Sequence, residues 1–158
     1  MQAHLAGEVE SPRAKAFRTG LFWGKNKSLE VVWMGKYFIR ISTIYLILGL
    51  LIGYLMGVTN LFQYTSLHVH VNLVGWVTSA LFGVVYCIFS SPRHAKMIKV
   101  HFWLHTLGVP LLVGGMYLII AGMEAIGGPL SGLGGALVIV GAVLYSMYSF
   151  KAFQPSKE

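Results

Sequence analysis

Three long stretches of the chain contain no Asp, Glu, Lys or Arg: Ile41 to Pro92, Val100 to Met123 and Ala125 to Phe150. Crossing the hydrocarbon core of a bilayer as an α-helix takes about 20 apolar residues. The first stretch has room for two crossings and a turn, and the other two have room for one each. The pattern predicts an all-α fold, a bundle of four transmembrane helices at roughly 39–59, 67–90, 99–122 and 131–150 by this length rule. Residues 1–38 precede this membrane domain of 39–150, and 151–158 form a short tail.

Composition agrees. Of 158 residues 56% are hydrophobic and 11% charged, against about 25% charged in soluble domains. The net charge of +7 raises the question of nucleic acid, and its distribution answers it. Lys15, Arg18, Lys25, Lys27, Lys36 and Arg40 precede the first span, Arg93, Lys96 and Lys99 separate the second from the third, and Lys151 and Lys157 follow the fourth. The other two connections carry no Lys or Arg, and one carries Glu124. Alternating basic and non-basic connections follow the positive-inside rule, so both termini are expected in the cytoplasm and no nucleic-acid partner is expected. The first 30 residues lack the apolar core and small-residue cleavage site of a signal peptide, which leaves targeting to the first span. Among them and the next few, Phe17, Leu21, Phe22, Trp23, Val31, Val32, Trp33 and Tyr37 are mixed with lysines. Two readings stand here: an interfacial helix of 1–38 lying in the headgroups, or a tail joined to the aromatic belt of the first span.

Glycines at 49, 53 and 57 in the first span, and Ser131, Gly134, Gly135 and Gly141 in the fourth, make small-residue stripes suited to close helix packing or subunit contact in lipid. Pro110 is expected to bend the third span, and the segment from Met123 to Pro129 reads as the turn into the fourth. The single cysteine, Cys87, lies inside the second span, which excludes a disulfide framework and a Cys-based metal cluster and reads as a small apolar filler. There is no internal repeat, Walker motif or nucleophile elbow.

The chemistry lies in the histidines. His68 and His70 stand in L-H-V-H-V-N-L-V-G-W at the mouth of the second span. Successive helical residues turn by about 100°, so side chains at i and i+2 point to nearly opposite sides. The second span then becomes a wall between two sites, lending one imidazole to each, and membrane histidines are costly and usually functional. The side bearing His68 carries Asn72, Gly75, Ser79, Gly83 and Tyr86; the side bearing His70 carries Val74, Val77, Leu81, Val84 and Ile88. Either slot is of a kind that admits a flat macrocycle, and Asn72, one turn from His68, is a candidate orienting partner for its ring. In the third span His101 and His105 lie one turn apart on one side, a spacing able to chelate a metal. Topology sets them near the opposite face of the bilayer from His68 and His70. Two readings remain for them: interfacial histidines bonded to loop carbonyls, or an inner copper or second heme site. His94, in the basic loop, is expected to be solvated.

The run L-H-V-H-V-N-L-V-G-W-V-T-S-A-L-F-G-V-V-Y resembles the histidine-bearing helices of heme–copper oxidase and nitric oxide reductase catalytic subunits, especially the cbb class, and H-F-W-L-H-T-L-G-V-P is similar to another of their helices. The resemblance covers roughly residues 66–122. Those subunits have twelve helices in three arcs of four, and one of their helices carries an H-x-H pair that serves two hemes. The resemblance therefore implies that this chain is one arc and that three copies rebuild the ring, a homotrimer with heterologous contacts. Each heme would be held between His68 of one subunit and His70 of the next. The chain departs from the family in lacking the His-x-x-x-Tyr helix and the adjacent His-His pair that bind copper there. With both axial positions filled, electron transfer is the expected activity rather than gas reduction.

The expectation is a multi-pass protein of a prokaryotic cytoplasmic membrane that binds non-covalent heme b, the absence of Cys-x-x-Cys-His excluding covalent attachment. Its candidate ligands are His68 and His70, its candidate pocket residues Asn72, Val74, Gly75, Val77 and Ser79, and its partners lipid, further copies and a quinol or other redox carrier. The rivals are a minimal gas reductase or quinol oxidase with one axial position open, and a copper-handling or gas-sensing protein using His101 and His105.

Overall fold

The structure, a computed structural model, describes residues 21–89 and 92–152. All regular elements among them are helical. In chain order they are α1 (Leu21–Thr59), a 3₁₀ turn (Phe62–Tyr64), α2 (Thr65–His70), a π-helical stretch (Val71–Thr78), α3 (Ser79–Phe89), a second 3₁₀ turn (Pro92–His94), α4 (Ala95–Ile120) and α5 (Glu124–Ala152). Four segments are long and apolar enough to cross a membrane: Leu29–Thr59, Phe62–Phe89, Ala95–Ile120 and Glu124–Ala152. The chain is thus a multi-pass membrane protein with α2, the π stretch and α3 as one continuous second span.

Two boundaries differ from the sequence pattern. The first helix starts well before residue 39, and it carries Val31 and Phe38 into the core while Lys36 and Arg40 stay exposed. The basic residues therefore decorate one side of a helix that already packs, with Lys36 over the Trp33 ring at 5.8 Å and Arg40 over Tyr37 at 5.6 Å. Residues 1–20, half of the proposed interfacial segment, lie outside the described residues. The fourth helix starts at Glu124, so the turn shrinks to a few residues pivoting on Gly122, whose φ of 81° suits glycine. Pro129 is the sixth residue of α5, past the leading N–H groups that need no partner, so α5 forgoes one helix bond there, to the Ala125 carbonyl. The turn after α1 uses Asn60 at φ 57°, the left-handed position that asparagine accepts better than most residues.

Packing is by hairpins. α1 lies along the second span, where Gly35 and Gly83 bring the backbones together: a Cβ at Gly83 would stand 2.7 Å from the Gly35 carbonyl. Cys87 fills space beside Gly35, as a small filler would. α4 lies along α5 on a longer glycine seam. A Cβ at Gly134 would fall 2.7 Å from the Gly108 carbonyl, and one at Gly127 2.6 Å from the Gly115 carbonyl. Close backbone approach of this kind is how helices gain contact in lipid, where burying apolar side chains brings no hydrophobic gain. Large apolar side chains such as Leu50, Tyr54 and Phe150 accordingly face outward.

The buried core is concentrated at the basic end of the bundle. Val31, Phe38, Phe82, Tyr86, Ala95, Ile98 and Tyr148 form one cluster there, and the Tyr148 hydroxyl donates to the Phe89 carbonyl at 2.9 Å, serving the last turn of α3. At the opposite end a cavity of about 360 Å³ opens between Ile52, Leu55, Met56, Tyr64, Leu67 and Tyr117.

Candidate functional site

His68 and His70 close α2, directly before the π stretch. The π register shows in side-chain bonds that reach five residues back: the Thr78 hydroxyl donates to the Leu73 carbonyl at 2.6 Å, and that of Ser79 to the Val74 carbonyl at 3.5 Å. Turns of this type are rare and frequent at functional sites. Nothing in V-N-L-V-G-W-V-T announces one, since residue patterns mark which face is apolar and not which carbonyl a given N–H selects.

The two imidazoles diverge as the wheel predicts. His68 turns to α1 and rests on Gly53, where a Cβ would stand 2.6 Å from its Cε1. The Asn72 amide donates to the His68 carbonyl at 2.9 Å and lies 3.3 Å from the ring Nδ1, in room left by Gly49. The glycine stripe of the first span is thus a slot for His68 and Asn72, which packing considerations alone did not reveal. His70 turns away from α1. Its Nδ1 stands 2.8 Å from the Ser66 carbonyl. A carbonyl only accepts, so Nδ1 carries the proton and Nε2 presents its lone pair.

The two slots of the second span differ in access. On the His68 side, Gly75 receives the ring of Tyr45, with a Cβ there falling 2.7 Å from Tyr45 Cγ. Ser79 is bonded to His105 and Gly83 abuts α1. That side is filled by the chain itself, and the expectation that a macrocycle fits there does not hold for the single chain. The side of His70 stays open: Val74 and Val77 are half-buried, and Leu81, Val84 and Ile88 are exposed.

His101 and His105 are bonded to hydroxyls of the second span and not to loop carbonyls. They are 0% and 2% exposed, deep in the aromatic core. His101 Nδ1 pairs with the Tyr86 hydroxyl at 2.7 Å, and His105 Nε2 with the Ser79 hydroxyl at 3.0 Å. Phe82 packs edge-on against both rings, at 4.5 and 5.2 Å between centroids. α4 crosses the second span close enough for both to reach inward, a tertiary fact that spacing along one helix does not contain. His94 is half-buried, with its Nδ1 shut from solvent and its ring edge-on to Tyr148 at 5.6 Å. The separation of the two histidine pairs does hold. His105 is level with Ser79, about 16 Å further along its helix than His68 at ~1.5 Å per residue, and His101 is deeper by another turn. Among the described residues no three His, Cys, Asp or Glu come together as a metal site.

A heme axial ligand is an imidazole with one nitrogen free and the other held by an acceptor. His70 meets both conditions, and it stands on an open apolar face. His68 meets neither as it lies, because its ring is engaged within the chain.

Over a stretch of 70 residues the chain is 34% identical to a cytochrome c oxidase subunit 1 homolog of Azorhizobium caulinodans. Over 69 residues it is 33% identical to the bacteroid cytochrome c oxidase subunit 1 homolog of Bradyrhizobium diazoefficiens. The matched stretches take up 39% and 38% of this chain but 13% of each relative. No family model matches the chain, and no solved structure does. The similarity is to a short part of a much larger oxidase subunit.

Proposed function

We propose that this chain is a small b-type cytochrome of a prokaryotic cytoplasmic membrane, with both termini cytoplasmic, assembling as a trimer. His70 of one copy is the first axial ligand to a heme between subunits, and His68 of the neighbouring copy is the second. The observation that carries this reading is the Nδ1 bond of His70 to the Ser66 carbonyl, 2.8 Å long, which leaves the lone pair on Nε2 of a half-buried ring. Val74 and Val77 would meet the macrocycle on the side of His70. Asn72 would hold His68, whose ring would leave its seat on Gly53 to reach the heme. Gly75 and Ser79 would act from behind, by seating α1 and α4 against the second span. When bound, the heme supplies reversible one-electron storage. The likeness to oxidase subunit 1 homologs supports a heme-type cofactor.

A second reading is favoured by one feature, the engagement of His68 with α1. If His68 stays there, iron on His70 keeps an open position, and the protein is a gas-binding or gas-reducing hemoprotein. One experiment tests both. The full chain is purified from heme-sufficient cells, and its dithionite-reduced spectrum is recorded with and without carbon monoxide. Six-coordinate heme b that carbon monoxide leaves unchanged supports the cytochrome, and a shifted spectrum supports the open site. His70→Ala should abolish heme; full heme content in that variant would refute both. Mixing His68→Ala and His70→Ala chains should restore some sites if ligation runs between copies.

A further inference from the structure

The buried pair on α4 is unused by the heme reading, and its polar atoms are incompletely satisfied. His101 Nε2 and His105 Nδ1 have no hydrogen-bond partner, although both rings are shut away from solvent. An unsatisfied buried polar atom is expensive, roughly 1–3 kcal/mol each. Here two occur on adjacent turns of one helix face. The opposite nitrogen of each ring is fixed by a hydroxyl, Tyr86 for His101 and Ser79 for His105. Ser79 also reaches the Val74 carbonyl, which takes the hydroxyl proton and leaves the Ser79 oxygen to accept from His105 Nε2. The lone pair of His105 is then on Nδ1, the unpartnered atom. His105 thus has the arrangement of a metal-ligating histidine, one nitrogen free and its fellow held by an outer partner; His101 has it in the tautomer whose Nδ1–H donates to the Tyr86 oxygen.

The separation of the rings lies within the limit for a shared ion, and Gly141 leaves room beside His101 Nε2. With metal–nitrogen bonds of about 2.0–2.1 Å, two imidazoles on one metal have ring centres no more than about 6.4 Å apart; these stand at 5.9 Å. The surroundings select the ion. No carboxylate or thiolate joins the pair among the described residues, so a divalent cation would have neither a full ligand set nor a counter-charge in a medium of low dielectric. A monovalent d¹⁰ ion is satisfied by two imidazoles and carries half the charge, so its burial beside this pair costs far less. The faces and edges of Phe38 and Phe82, at 4.5–5.7 Å from the two rings, enclose it. We infer that His101 and His105 form a two-histidine site for a single copper(I) ion, with Tyr86 and Ser79 as positioning residues. The site is separate from the heme position and does not depend on it.

The test uses the full chain, purified with its heme in detergent. It is titrated anaerobically with copper(I) against a coloured copper(I) chelator, and X-ray absorption is recorded on the loaded protein. One copper per chain is expected, with histidine-type scattering from two nitrogens. His101→Gln or His105→Gln should weaken binding at least 100-fold, and Tyr86→Phe about 10–100-fold. His70→Ala should leave copper affinity unchanged, so loss of heme and loss of copper are read apart. Should the histidine variants fail to fold, the milder Tyr86→Phe and Ser79→Ala chains carry the test, with helical circular dichroism and elution as a single species as the measure of folding. Absence of stoichiometric copper, unchanged affinity in Tyr86→Phe, or copper that leaves with His70 would each overturn the proposal.

Discussion

Adding one methyl group at Gly134 tests the seam that positions α4, and with it the buried histidines. The new Cβ would meet the Gly108 carbonyl oxygen and the Leu111 carbonyl carbon, each at 2.7 Å, as well as the Leu112 nitrogen. Ordinary contact begins at 3.4 Å, so the two helices must part by at least 0.7 Å. All three obstacles are backbone atoms, which no rotamer change can move. A radial gap of 0.5–1 Å forfeits roughly a quarter to a half of the dispersion energy of the contacts it opens, and overpacking of this kind costs about 1–3 kcal/mol. Gly132, on the other side of α5, has nothing within 4 Å of its would-be Cβ. Both substitutions gain the same helix propensity, about 1 kcal/mol for Gly to Ala. The difference between Gly134→Ala and Gly132→Ala therefore isolates the clash and should reach about 2 kcal/mol, some 30-fold in the unfolding equilibrium. Reversible unfolding in mixed micelles, followed by circular dichroism, measures it. Equal stability of the two variants would show that this seam is not closed as described.

Two further substitutions probe the turn and the heme region. Asn60→Gly should hold or raise stability and Asn60→Val should lower it by about 1–2 kcal/mol, because the position is left-handed; the same unfolding assay reads both. Asn72→Leu removes the amide that lies against His68 and should weaken heme binding roughly 10–100-fold, measured by heme titration of the apoprotein, whereas an unchanged affinity would remove Asn72 from the site.

The membrane architecture was legible because charge depletion over twenty-odd residues has one common cause. The inward stripe of the second span was legible too, through Asn72, Gly75, Ser79, Gly83 and Tyr86. What the stripe meets was not. Gly49 and Gly53 read as packing glycines, and only the crossing of α1 over the second span shows that Asn72 and His68 occupy the space they leave. His101 and His105 read as interfacial because they stand near a helix end, but the 3₁₀ turn at Pro92–His94 and the length of α1 bury that end beneath Phe38. The start of α1 was missed for a related reason. Lysines among aromatics look the same whether a segment lies flat in headgroups or runs on as the first turns of a packed helix.

The concentration of aromatic packing at one end of the bundle makes the molecule mechanically lopsided. Rings interlock around Phe38 and Tyr86 like the spring of a clothes-peg, whereas the jaws near Met56, Tyr64 and Tyr117 close on empty volume. Slack is therefore stored beside the H-V-H turn, so a guest entering there displaces little while the far end keeps the four rods in register.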